Sequence, residues 1–206
     1  MNVHVVDYGF GNLASARRAC ERCGAEVTVS SAAEDVARAT CLLLPGVGAF
    51  GEAMARLRQL RLDQAIRKAV LEDRIPILGI CLGMQLLASL GREGGDTEGL
   101  DILPGEVARL EPSQASERVP HVGWNQVVFE DESNLFEDLE SGHDFYFVHS
   151  YAFQPRDPGH ARAWTPYAGR FVSVVGHDHI WGVQFHPEKS SKAGLKMLQN
   201  FLESAC

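Results

Sequence analysis

The chain has 206 residues, 45% of them apolar and 22% charged, with a formal net charge of −8. That length suits one domain, residues 1–206, with a substantial core. The acidic balance disfavours nucleic-acid binding, and no apolar run approaches the roughly 18 residues that a membrane span needs.

Residues 2–7 read as a core strand and not as an export leader, so a cytoplasmic protein is expected. Helical spacing follows over 12–22 and ends in Cys20-Glu21-Arg22-Cys23, with Gly24 placed to cap it. The C-x-x-C spacing closes a helix instead of opening one and has no second pair, so neither zinc nor a redox role is expected of it. The five cysteines are Cys20, Cys23, Cys41, Cys81 and Cys206. An odd count without an export signal argues against a disulfide framework.

A short strand is predicted over 26–29, then a helical turn, then a buried strand over 41–44. The loop after it is Pro45-Gly46-Val47-Gly48-Ala49-Phe50-Gly51. A glycine-rich turn after a strand can aim backbone N–H groups at a developing oxyanion, and it equally suits an ordinary strand-to-helix loop. A phosphate loop is disfavoured because no Lys-Ser/Thr follows the glycines. Helices are expected over 52–60 and 62–73.

The next segment carries chemistry. Ile75 to Ile80 is an apolar run that reads as a buried parallel strand, and Leu82 to Ala88 has helical spacing. Between them lies Gly79-Ile80-Cys81-Leu82-Gly83, a G-x-nucleophile-x-G pattern at a strand-to-helix junction. Such a turn holds its central side chain at the carboxyl end of a sheet, beside a helix N-terminus that favours a thiolate. A lone pattern of this kind fits a buried structural cysteine as well.

The second half is richer in strands, expected at 105–110, 125–129, 145–153, 171–175 and 180–185, with loops at 112–116 and 155–160. An amphipathic helix is expected over 191–203, with Leu195, Leu198, Phe201 and Leu202 on one face. At the end of the last strand stands His186-Pro187-Glu188. In an extended chain, residues i and i+2 share a side, so Glu188 can orient one imidazole nitrogen while the other faces a thiol. Together the two strings supply nucleophile, base and orienting carboxylate. Early strand–helix alternation implies a central parallel sheet covered on both faces, with antiparallel additions later.

Six strings in order carry a family resemblance across essentially the whole chain. They are Val6 to Leu13, Pro45 to Phe50, Gly79 to Gln85, His121 to Asn125, Phe147 to Tyr151 and His186 to Ser191. The chain resembles the class I, triad-type glutamine amidotransferases and, within them, the glutaminase subunits of imidazole glycerol phosphate synthases. Met84 is informative, since relatives serving guanylate, anthranilate or carbamoyl phosphate synthesis usually have His there.

The resemblance implies a flavodoxin-like α/β fold and a Cys81–His186–Glu188 triad, with no cofactor and no metal. It implies an oxyanion site from Leu82, Val47 and Gly48, and glutamine contacts from Gln85, Glu93, Ser150 and Tyr151. It implies a heterodimer with a (β/α)8-barrel cyclase, met by Asn12, Trp124, Asn125, Tyr146 and Lys189. For Trp124 and Tyr146 the alternative is core packing, and for Lys189 a solvated charge. It also implies a resting state in which a peptide near Val47 turns its carbonyl into the oxyanion site until the partner binds.

One stretch departs from the family. Where members often carry Ser-Glu-Glu, this chain has Gly91-Arg92-Glu93, followed by Gly94-Gly95-Asp96, which suggests a mobile loop. Competing functions are an amidotransferase of another pathway, a cysteine peptidase or esterase, and a non-catalytic binding module.

Overall fold

The computed structural model describes residues 2–130 and 133–205, so Cys206 lies outside the described residues. The first half alternates strand and helix. β1 (Asn2–Val6), β2 (Glu26–Ser30), β3 (Leu42–Gly46) and β4 (Ile77–Cys81) are separated by α1 (Leu13–Arg22), the single turn α2 (Ala33–Val36), α3 (Phe50–Gln59) and α4 (Leu62–Arg67). Asn12 caps α1 by accepting from the Ser15 N–H at 3.2 Å. Gly24, at φ +83°, stands just past the helix end, in the left-handed region that favours glycine. The helix expected over 62–73 is only partly an α-helix, since a π turn at Lys68–Glu72 finishes it.

β4 runs directly into α5 (Leu82–Leu86). The small strands β5 (Leu90–Gly91) and β6 (Thr97–Glu98) follow, with β7 (Gly105–Arg109) after them. The 94–96 stretch is therefore the turn of a hairpin. Arg92 clasps it, holding Asp96 at 3.0 Å and Glu106 at 2.7 Å.

The strand expected over 125–129 begins earlier, as β8 (His121–Val127). The single strand expected over 145–153 is two, β9 (His143–His149) and β10 (Tyr151–Pro155). The chain breaks at Ser150 because each half has a different partner. β9 pairs with β8 as a separate antiparallel ribbon, whereas β10 pairs with β7. A strand that hydropathy did not mark, β11 (Ala161–Thr165), precedes β12 (Phe171–His177) and β13 (Ile180–Val183). The closing helix is α6 (Ser191–Ala205).

The main sheet has the order β11-β12-β13-β4-β3-β1-β2. From β2 to β13 it is parallel, and β12 and β11 are antiparallel additions. Alternate residues of one strand enter opposite cores: Leu43, Leu78 and Ile80 lie in one cluster, and Leu42, Leu44 and Ile77 in the other. α6 supplies Met197, Leu198 and Phe201 to the first, while α3 and α4 supply Met54, Leu57 and Ile66 to the second. A strand buried on both faces needs an unbroken apolar run, which is what β3 and β4 have.

This order fixes the site. β4 and β13 are adjacent and parallel, with Val183 opposite Ile80. Whatever follows each strand emerges at the same sheet edge, side by side. That brings Cys81 and His186 together across about a hundred residues of chain.

Candidate active site

Cys81 is the hinge between β4 and α5, with φ +55° and ψ −110°. A non-glycine residue at such an angle is strained and persists only when its surroundings dictate it. Here the flanking glycines do so. A Cβ on Gly79 would lie 2.7 Å from the Gly83 backbone, and one on Gly83 would overlap the Leu44 carbonyl. Strand and helix therefore approach more closely than any side chain permits, and the turn at Cys81 is sharp.

His186 is 2% exposed. Its Nδ1 lies 2.9 Å from Glu188 Oε1, and both side chains are almost fully buried. The pair does not arise from a continuing extended strand, as alternation suggested. His186 itself is extended, but Pro187–Lys189 form a 3-10 turn that swings Glu188 back onto the ring. Burial opposes charge on His186, yet interaction with Cys81 and Glu188 outweighs it and raises the imidazole to about 9. Nε2 has no partner of full hydrogen-bond geometry among the described residues. The Cys81 sulfur is nonetheless near enough to act on the charge of the ring.

A cleft of about 340 Å³ opens in front of the sulfur. Its lining includes Val47, Gly48, Leu82, Gln85, Glu93, Ser150 and Tyr151, together with Cys81, His149 and Val148. Every residue that the sequence assigns to the oxyanion or to glutamine thus faces one space. A larger cleft of about 630 Å³, beside β7, β10 and β12, holds none of these groups. Chemistry, not size, selects the smaller one.

The cleft walls are set by backbone contacts. Leu82 is the first residue of α5, so its N–H has no intrahelical acceptor and is available to a ligand. Gly48 has φ +124°, and a Cβ there would lie 2.9 Å from the Phe10 ring. One turn away, a Cβ on Gly46 would strike Tyr8 Oη. The loop after β1, which ends at Asn12, therefore underlies the glycine-rich loop at two points.

Glu93 reaches across to α3, where its Oε2 accepts from the Phe50 N–H at 2.8 Å. At Gly91 the Phe50 ring occupies the space that a Cβ would need. Arg92 points outward into its two ion pairs, on the surface side of the hairpin.

Sequence reasoning missed the buried polar groups behind the cleft. Gln184, fully buried, donates to Cys81 Sγ at 3.7 Å and accepts from Gln85 Nε2 at 3.0 Å. The available signal was its position two residues before His186, on the same side of an extended chain. His121 and His149 are also buried, their rings joined by a 3.1 Å Nδ1···Nε2 bond. Burial lowers His121 to about 4 and His149 to about 3, so both are neutral at pH 7.

Of the sequence-assigned contact residues, Trp124, Tyr146 and Lys189 come together, whereas Asn12 serves as the cap of α1. Trp124 is 53% exposed, which excludes core packing. It sits opposite Tyr146 in the β8–β9 register, and the rings meet edge to face. Lys189 Nζ lies 5.8 Å from the Tyr146 ring centre. Val122 and Val148 extend the same exposed face. Asn125 is on the opposite face of the ribbon, where its Nδ2 lies 3.3 Å from His121 Nε2.

A family model described as glutamine amidotransferase class-I matches residues 4–205. The imidazole glycerol phosphate synthase subunit HisH of Moorella thermoacetica is 48% identical over 201 residues, covering 98% of this chain and 94% of that protein. HisH of Aquifex aeolicus is 46% identical over 206 residues, covering 100% of this chain and 98% of that one. Among solved structures, a glutamine amidotransferase superposes with a TM-score of 0.77 at 20% identity, covering 98% of both chains. PurLQS from Thermotoga maritima does so at 0.73 and 20%, again over 98% of each chain. At that identity the structures speak to the fold, which is the one observed.

Proposed function

The chain belongs to the class-I glutamine amidotransferases, and from that premise we propose that it is the glutaminase subunit of an imidazole glycerol phosphate synthase. The observation that carries the reading is the convergence of Cys81, His186 and Glu188 at one sheet edge, behind a cleft lined by the oxyanion and glutamine candidates. Full-length similarity to HisH proteins supports the pathway.

Cys81 Sγ attacks the side-chain carboxamide carbon of glutamine. The tetrahedral oxyanion is met by the Leu82 N–H and by backbone N–H groups at Val47 and Gly48. His186, held by Glu188, gives its proton to the departing nitrogen, which leaves as ammonia. Water then attacks the glutamyl thioester with His186 as base, releasing glutamate and restoring the thiol. Glu93 offers a carboxylate to the substrate ammonium, while Gln85 and the backbone at Ser150 and Tyr151 grip its other polar groups.

The partner is a (β/α)8-barrel cyclase that uses the ammonia to build imidazole glycerol phosphate and an aminoimidazole carboxamide ribotide, in the cytoplasm. Free ammonia is mostly protonated near pH 7, so the two sites must share a shielded route. Asn12, Trp124, Asn125, Tyr146 and Lys189 belong to the docking end. The apolar, partly aromatic face around Trp124 has the character of an interface centre. Gly48 at φ +124° gives the oxyanion loop the backbone freedom to turn a peptide when the partner docks.

The test is glutamate release from glutamine by the chain alone, and with a barrel cyclase and its nucleotide ligand. Strong stimulation that is lost in Cys81→Ala is the expected result. Full turnover without a partner would remove the gated loop but keep the glutaminase. Silence under both conditions would overturn the assignment.

A further inference from the structure

A chain of hydrogen bonds runs behind the cleft, and the direction of every link is determined. The Tyr151 carbonyl can only accept. It receives Gln85 Nε2 at 2.9 Å and pairs with His149 Nδ1 at 2.8 Å. Gln85 therefore presents its amide N–H groups, and its second one goes to Gln184 Oε1. With Oε1 so engaged, Gln184 turns its own NH2 toward Cys81 Sγ. On the other side, His149 spends its one ring proton on Tyr151, so its Nε2 accepts from His121 Nδ1. His121 Nε2 then accepts from Asn125.

We propose that Gln184 is a catalytic donor to the nucleophile, its amide oriented by Gln85 and the Tyr151 carbonyl so that an N–H supports the Cys81 sulfur in its anionic form. A filler role accounts poorly for the arrangement. A fully buried amide beside a sulfur needs fixed partners, and an apolar residue would fill the same volume with no unsatisfied groups. The sulfur also contacts an acceptor, the Val148 carbonyl at 3.9 Å, which suits the neutral thiol. Gln184 supplies the opposite preference, so the two contacts match the two states that the sulfur must visit. Gln85 and His149 are positioning residues in this scheme. They keep the amide from flipping, since a flipped Gln184 would aim Oε1 at an anion.

The proposal is tested by the sulfur's reactivity, which does not depend on glutamine turnover. Iodoacetamide alkylation of Cys81, followed by peptide mass spectrometry, is measured against pH in the full chain. The other titratable groups facing this region are His186 with Glu188, Tyr8 from the loop after β1, His149 from β9, and Glu93 across the cleft. All of them are left unchanged. In Gln184→Met, which keeps the volume and loses the donor, the alkylation rate at pH 7 should fall about tenfold, with the midpoint moving to higher pH. In Gln184→Glu, which keeps the acceptor for Gln85 and so protects the fold, the midpoint should also rise. In the unsubstituted chain, the Gln184 side-chain amide protons should shift in NMR spectra as Cys81 titrates.

Unchanged alkylation profiles in the folded variants would overturn the proposal, as would amide signals that ignore the titration. The inference rests on the glutaminase reading only for its biological use. A shifted alkylation profile in a chain that never releases glutamate would sustain Gln184 as thiolate donor while the proposed function failed.

Discussion

Glu93 Oε2 and the backbone N–H of Phe50 are joined by a 2.8 Å hydrogen bond that ties the β5–β6 hairpin to the start of α3. Ala49, the residue preceding that helix, supplies no side-chain cap. Glu93 therefore takes the cap's place from a distant part of the chain, and its charge lies where the helix dipole favours an anion. The same carboxylate lines the cleft in front of Cys81, so it supports the loop that follows β3 from the side of the proposed substrate site.

Removing that carboxylate should have two separable effects. Glu93→Gln keeps an acceptor for the Phe50 N–H and loses the charge, so it should raise KM for glutamine with little change in kcat. Glu93→Ala loses the cap too and should lower both kcat and stability, the latter by about 1 kcal/mol. Steady-state glutaminase kinetics in the stimulated complex, with denaturant melts, would check this. Equal effects from the two substitutions would refute it.

The buried histidines predict stability falling on both sides of a maximum near pH 6.5. His186 is raised to about 9 in the fold, so the folded state holds its proton more tightly than the unfolded chain does. That stabilisation is complete below about 6.5 and is lost as pH rises through about 9. His121 and His149 are lowered to about 4 and about 3, so below about 6.5 the unfolded chain binds protons that the fold excludes. Stability then falls as pH drops through those values. Urea midpoints from pH 4 to 10 measure both limbs. Cys81→Ala should flatten the alkaline limb and leave the acid limb in place.

Trp124→Ala should weaken the proposed complex with a barrel cyclase by about 2 kcal/mol, roughly thirtyfold in Kd, while changing the stability of the free chain by about 1 kcal/mol or less. The ring is half exposed and meets Tyr146 edge to face at the surface, so the isolated fold depends little on it. Calorimetric titration with the barrel subunit, alongside a thermal melt, separates the two quantities. A large loss of stability with unchanged affinity would return Trp124 to a structural role.

Gly83→Ala should prevent the elbow from forming. The added methyl would occupy the space of the Leu44 carbonyl on the neighbouring strand, and backbone cannot rotate away as a side chain can. A loss above about 4 kcal/mol is expected, visible as an insoluble or unfolded product. By contrast, Gly94→Ala in the exposed hairpin turn meets no atom within 4 Å, and only its φ of +69° opposes it, so a loss of about 1 kcal/mol is expected. Circular dichroism melts of the two variants make the comparison.

Much of the fold was legible because β3 and β4 are buried on both faces and so leave unbroken apolar runs, while α1 and α6 bury one face and so leave helical spacing. Pairing partners left no such trace. The 145–153 stretch looks like one strand in hydropathy, but it divides at Ser150 because its halves belong to different sheets. β11 went unmarked because an edge strand with small and polar residues carries little alternation. The 3-10 turn under Glu188 was likewise invisible, although the closeness of His186 and Glu188 was anticipated on other grounds.

By itself the sequence determined the local pieces: an elbow glycine pattern around Cys81, a histidine two residues from a carboxylate, and a glycine-rich loop after a core strand. These are short-range matters, governed by backbone sterics and the side-chain periods of strand and helix. Only the tertiary structure decided which pieces meet. Adjacency of β4 and β13 sets His186 beside Cys81, and the break at Ser150 sends the Tyr151 carbonyl to Gln85 and His149. Burial in that shared interior then leaves His121 and His149 neutral and gives Gln184 a single orientation, because hydrogen-bond direction and charge depend on neighbours distant in the chain.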